Sequence, residues 1–188
     1  MLPFYGRYGV FALLFFKIFL HHLLDFIPLD SHIKFIYESM SSSPGIDIDS
    51  YCFALGANGK VSRDEDLIFF GNPEAANSSI RTGSADSKPL ALIDLDKVDP
   101  AVCRIALCYS IYGDDPHQNF SGVSSPVIRV FGGDREMLRF ELKDLSEEKT
   151  VVAAEVYRYK GEWKINFVGA GYKSGLTQLC ESYGVNVD

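Results

Sequence analysis

The chain has 188 residues, with 18 Lys and Arg against 25 Asp and Glu, and a formal net charge of −7. With 47% hydrophobic and 23% charged residues it has the composition of one folded domain with an appendage, which excludes a disordered chain. The acidic balance lacks the basic footprint of a nucleic-acid binder, so no nucleic acid is expected among its partners.

Residues 9–28 read GVFALLFFKIFLHHLLDFIP, an apolar stretch interrupted by Lys17, His21, His22 and Asp25. The clean run from Val10 to Phe16 is far short of the ~20 residues that a spanning helix needs, and charges within it make insertion costly. Arg7 precedes the apolar stretch, but no small-x-small cleavage site follows. The segment reads either as a helical extension or helix packed on the domain, or as a signal or membrane anchor. Ser41-Ser42-Ser43-Pro44-Gly45 has the character of a linker, so residues 1–44 are taken as an apolar N-terminal segment and 45–188 as the domain.

Beyond residue 45 the periodicity is mostly two. Cys103, Ile105, Leu107, Tyr109 and Ile111 alternate along one run, and Leu138, Phe140 and Leu142 along another, as half-buried strands do. Tyr51–Leu55, Leu67–Phe70, Leu90–Ile93, Val127–Phe131, Val151–Tyr159 and Trp163–Val168 are further strands. Asn58-Gly59 suits a type I′ hairpin, Gly132-Gly133-Asp134 a tight reversal and Lys160-Gly161-Glu162 another. A helix is predicted from about Ser174 to Tyr183, stopped by Gly184. The fold class that follows is mainly β: an antiparallel β-sandwich with one C-terminal helix and an atypical apolar, helical N-terminal segment.

The charge is unevenly spread. Residues 1–42 are neutral, residues 43–122 carry 6 basic and 12 acidic side chains, and residues 123–188 carry 9 and 10. The acids of the middle stretch fall at strand ends: Asp47 and Asp49, then Asp64-Glu65-Asp66, then Asp86, then Asp114-Asp115. Such carboxylates are expected to converge on one rim, and clustered carboxylates repel unless water, a basic group or a cation relieves them. Ca²⁺ takes 6–8 oxygens in flexible geometry, and Asp47 and Asp49 point the same way in an extended chain. No EF-hand pattern occurs. Cys52, Cys103, Cys108 and Cys180 have neither CxxC spacing nor a His partner at zinc-ligand spacing, and fit a reducing compartment.

The same residues carry a resemblance. Gly45-Ile-Asp-Ile-Asp-Ser-Tyr-Cys-Phe-Ala-Leu-Gly-Ala-Asn-Gly-Lys-Val-Ser-Arg-Asp-Glu-Asp-Leu-Ile-Phe-Phe-Gly-Asn72 resembles the signature of the tellurium-resistance, TerD-like family. Gln118-Asn-Phe-Ser-Gly-Val123, Glu155-Val-Tyr-Arg-Tyr-Lys-Gly-Glu-Trp-Lys164, Gly169-Ala-Gly-Tyr-Lys-Ser-Gly-Leu176 and Tyr183-Gly-Val-Asn-Val187 continue it in order. The resemblance implies a calcium-binding β-sandwich without enzymatic activity. It also implies a cytoplasmic stress-response protein of bacteria that works with other tellurium-resistance proteins at the inner membrane face. Carried residue by residue, it makes Asp47, Asp49, Asp64, Asp66, Asn72 and Asp114 the metal ligands. The chain departs from the family in the loop Arg81–Pro89, which keeps only Asp86, in the order Ser62-Arg63, and in residues 1–44, which do not match.

Two rival functions remain. One is a membrane-associated scaffold anchored by residues 9–28. The other is an enzyme using His117 beside Asp114 and Asp115, for which no nucleophile motif is present. Trp163, Tyr157 and Tyr159 read as sandwich core, and Gly169-x-Gly171 as a weak phosphate cradle.

Overall fold

The structure, a computed structural model, describes residues 29–113 and 115–186. Among them the strands are β1 (His32–Glu38), β2 (Ser41–Ser42), β3 (Ile48–Leu55), β4 (Leu67–Ile68), β5 (Ile80–Ala85), β6 (Lys88–Asp94), β7 (Arg104–Ile111), β8 (Val123–Ser124), β9 (Val127–Gly132), β10 (Arg135–Glu141), β11 (Thr150–Tyr159) and β12 (Glu162–Tyr172), and α1 (Gly175–Tyr183) follows. Two five-stranded antiparallel sheets form, in the orders β10-β9-β1-β6-β5 and β12-β11-β7-β3-β4, with β2 and β8 paired on their own. The predicted sandwich and C-terminal helix are therefore present.

The sheets face each other across one apolar core. Phe35, Ile93 and Ile128 enter it from the first sheet, and Cys52, Leu107 and Val156 from the second. Helix α1 covers the outer face of the second sheet, where Leu179 and Cys180 pack against Tyr51, Phe53 and Cys108. This second layer corrects the expectation of a half-buried strand at residues 103–111. Every residue of β7 from Ile105 to Ile111 is buried, because the face that alternation assigned to water lies under α1.

The N-terminal boundary also differs from the expectation. β1 lies before residue 45 yet occupies the middle of the first sheet, paired to β6 on one side and to β9 on the other. Its inward residues Ile33, Phe35 and Tyr37 are buried, alternating with half-buried Lys34, Ile36 and Glu38. The expected linker is part of the fold: Ser41 and Ser42 pair with Ser124 and Val123, and the Ile46 N–H closes a turn onto the Ser43 carbonyl at 3.2 Å. The helix, signal or anchor expected over residues 9–28 lies outside the described residues. Among the described residues no helix is long and apolar enough to cross a membrane.

Two of the three predicted reversals are tight hairpins. Lys160-Gly161 joins Tyr159 to Glu162 with φ of 51° and 84°, the pair of positive values that a type I′ turn needs. Gly133-Asp134 joins β9 to β10. Asn58-Gly59 does not make a hairpin of its own. The chain runs on from there through a 3₁₀ turn at Asp64–Asp66 before β4 pairs with β3. Gly184 ends α1 as predicted, at φ 81°, and the Val185 N–H reaches back to the Cys180 carbonyl at 2.9 Å.

Candidate cation-binding rim

The strand register separates the expected ligands into two groups. Asp47 and Asp49 stand at the start of β3, whereas Phe53 pairs with Leu67 near its end. Asp66, adjoining Leu67, therefore falls beside Ala54, five residues from Asp49. At ~3.3 Å per residue that is about 16 Å, too far for one ion. The acids of these two loops do not share a rim, because β3 carries its two flanking loops to opposite ends of the sheet.

Each residue of the distal group has a hydrogen-bond partner within the chain. The Asp66 carboxylate accepts N–H bonds from Ser62 and Arg63, both at 3.1 Å, and the Arg63 guanidinium at 3.1 Å. It thereby caps the 3₁₀ turn. The Asn72 amide donates to the carbonyls of Glu65 at 3.0 Å and Leu67 at 2.9 Å, closing the β4 loop. Asp64 accepts the Asn186 N–H at 3.4 Å, which ties the loop to the C-terminal tail.

The proximal group has a different setting. Asp47 and Asp49 line a cleft of about 340 Å³ at the edge of β3, where the short β4 leaves the first residues of the strand uncovered. Burial pushes the Asp49 carboxyl above its ordinary range, and the neighbouring Asp47 charge pushes the same way. The opposite wall comes from β5 and the β5–β6 turn, through Thr82, Ser84 and Ser87. The Thr82 hydroxyl itself is buried beneath this wall, without a hydrogen-bond partner. The Asp86-Ser87 turn that brings this wall in holds both residues at positive φ, 51° and 60°. The donors are all oxygens, which suits a hard cation such as Ca²⁺. Among the described residues no three His, Cys, Asp or Glu side chains gather as a metal site, so the cleft offers two carboxylates supplemented by hydroxyls.

Thr82, Ser84 and Ser87 were missed from the sequence. Ile80-Arg-Thr-Gly-Ser-Ala85 has one large apolar residue, so no strand is legible there, and only the pairing of β5 with β6 brings those residues to the cleft that Asp47 lines. Asp114 lies outside the described residues. Its neighbours are near the cleft: the Tyr112 N–H donates to the Asp47 carbonyl at 2.9 Å, and Lys149 binds the carbonyls of Gly113 and Asp115. Asp115 accepts the backbone N–H of His117 at 2.9 Å, a loop-closing bond between the two.

Other motif residues also have structural partners. Lys60 donates to the Ser182 carbonyl, and the Val61 N–H donates to Tyr183 at 2.9 Å, so Gly59-Lys60-Val61 fastens the end of α1. Arg158 binds the carbonyls of Val102 and Val98 at 3.1 and 3.2 Å and stacks its guanidinium 4.2 Å from the Trp163 ring. Glu155 pairs with Arg104 at 3.0 Å.

The architecture and the cleft define a β-sandwich protein with paired carboxylates at a strand edge. The TerD domain model matches residues 32–183, and the chain belongs to that family. It is 37% identical over 151 residues to the tellurium resistance protein TerD of Serratia marcescens, covering 74% of this chain and 79% of that protein. It is 31% identical over 153 residues to general stress protein 16U of Bacillus subtilis strain 168, covering 75% of this chain and 79% of that protein. The crystal structure of a homologue of telluride resistance protein (TerD) from Streptomyces coelicolor A3(2) has a TM-score of 0.64. It is 19% identical and covers 79% of this chain and 94% of that one, a likeness of fold. The family match starts at residue 32, where β1 starts.

Proposed function

We propose that this TerD-family protein binds Ca²⁺ without enzymatic activity and acts in resistance to tellurite and related stresses. The observation that carries the ion is the β3-edge cleft, which Asp47 and Asp49 line together with Ser84 and Ser87. The tellurium-resistance and general-stress relatives support the physiological part. In this reading Asp47 and Asp49 supply the charge, and Ser84 and Ser87 supply neutral oxygens. A bound cation offsets the repulsion and the burial that raise the Asp49 pKa. Asp64, Asp66 and Asn72 serve the β3–β4 connection.

The test is a calorimetric calcium titration of the full chain and its Asp49→Asn variant. Binding tighter than about millimolar is expected in the parent, with loss of at least about tenfold in the variant. No binding in the parent, or equal binding in both, overturns the assignment.

A further inference from the structure

Helix α1 covers the outer face of the second sheet only in part. Along β7, Ala106 and Cys108 lie in the apolar layer beneath the helix. Ser110 and Tyr112 continue on the same face by strand alternation. An open cleft of about 330 Å³ remains there, beside the first turn of α1. Phe69, Phe70 and Tyr112 line it together with Lys149 and Thr177. Phe70 and Tyr112 are 62% and 59% exposed, and their rings meet edge-on at 6.2 Å. They are braced from beneath: Phe70 sits edge-on to Phe69 at 5.1 Å, and Phe69 stacks on the buried Tyr51 at 6.1 Å. Rings held in this way can accept a further ring, offset or edge-on, with little ordering of their own to offset. Lys149 is the charged side chain of the lining. Its ammonium is fixed by the carbonyls of Gly113 at 2.5 Å and Asp115 at 3.1 Å, which leaves one donor free. Among the described residues no carboxylate pairs with it, so its charge is uncompensated.

We propose that this cleft binds a small aromatic carboxylate, its ring among Phe69, Phe70 and Tyr112 and its carboxylate on the Lys149 ammonium. The volume lies at the low end of the roughly 300–1,000 Å³ of small-molecule sites, which limits the occupant to about one ring. Burial of the ring against the aromatic walls supplies affinity, and the charge-assisted bond to Lys149 fixes the orientation. Charge complementarity selects a single negative charge. One ammonium balances one carboxylate, whereas Asp49, opposite Ser110 in the strand register, stands at the border of the cleft and repels a doubly charged phosphate. No metal ion takes part in this binding, so its failure would leave the calcium reading untouched.

The experiment is ligand-observed NMR titration of the full chain in chelator, with benzoate, its neutral amide benzamide and phenyl phosphate as probes. Benzoate is expected to bind with a dissociation constant of about a millimolar, as a ligand of this size allows. Benzamide keeps the ring and loses the charge, and should bind about fivefold more weakly or worse. Phenyl phosphate, doubly charged at neutral pH, should also bind more weakly than benzoate. Phe70→Ser/Tyr112→Ser is expected to weaken benzoate by about tenfold, and Lys149→Gln by about fivefold. Lys149 also holds the Gly113 and Asp115 carbonyls, so unfolding curves of the variants are taken in parallel. The benzamide comparison reads the charge in the parent without any substitution. Absence of saturable benzoate binding, or undiminished binding in the double variant, overturns the site. Benzamide binding as tightly as benzoate overturns the role of Lys149, and tighter binding of phenyl phosphate overturns the choice of a single charge.

Discussion

Asp49 and Asp66 belong to the same stretch of family signature but meet opposite environments. Asp66 is satisfied by two backbone N–H groups and a guanidinium. Its replacement by Ala should cost about 1 kcal/mol in a denaturant midpoint and leave calcium binding unchanged. Asp49 is partly buried beside Asp47, and its carboxyl titrates above the ordinary value. A raised folded pKa gives stability that is complete below the unfolded pKa of about 3.9 and is lost as pH rises through the folded value. The calcium-free parent should therefore lose stability relative to Asp49→Asn as pH rises from about 4 towards neutrality. Denaturant midpoints of both proteins across that range check the sign, and parallel curves contradict it. Under the proposed Ca²⁺ assignment, saturating calcium should reverse the order, because a cation held there would favour the ionised carboxylate. The sequence shows two aspartates in both cases. Which one caps a turn and which one lines an open cleft depends on neighbours that the register supplies.

At the scale of elements, β1 shows both the reach of periodicity and where it stops. Ile33, Phe35 and Tyr37 alternate with Lys34 and Glu38, a legible strand pattern. It is masked by its position directly after the apolar stretch 9–28 and before Ser41–Gly45, whose turn chemistry resembles a domain boundary. Phe35 is fully buried in this central strand. Phe35→Ala should cost about 3–5 kcal/mol, read from the unfolding midpoint. Helix α1 was better marked, because a left-handed stop needs glycine. Gly184→Ala should cost about 1–2 kcal/mol, since a Cβ there adds strain at φ 81° and meets the Lys60 side chain at 3.4 Å. A variant as stable as the parent would show that the cap is dispensable.

For the whole molecule, the decisive arrangement is a two-sheet core entered by β1 from one side and covered by α1 on the other. A chain truncated before residue 45 loses the middle strand of the first sheet. It leaves β6 and β9 with unpaired edges and should fail to unfold cooperatively, whereas a chain starting at residue 29 should retain a single transition. Cooperative unfolding of the shorter chain would contradict this account of the core.

The strand-rich class, the C-terminal helix and two of the hairpins were determined by the sequence itself. These rest on side-chain alternation and on residues such as Lys160-Gly161 and Gly184, whose local backbone chemistry does not depend on distant partners. The excess acid of residues 43–122 was equally plain. Tertiary structure alone decided how that acid is used. β3 sends its flanking loops to opposite ends, so at one end Asp66 caps a turn and Asp64 meets the C-terminal tail. At the other end Asp47 and Asp49 share a cleft with Ser84 and Ser87, which come from a hairpin whose first strand scarcely reads as one. Strand length and register set distances between residues far apart in the chain, and no local pattern encodes those distances.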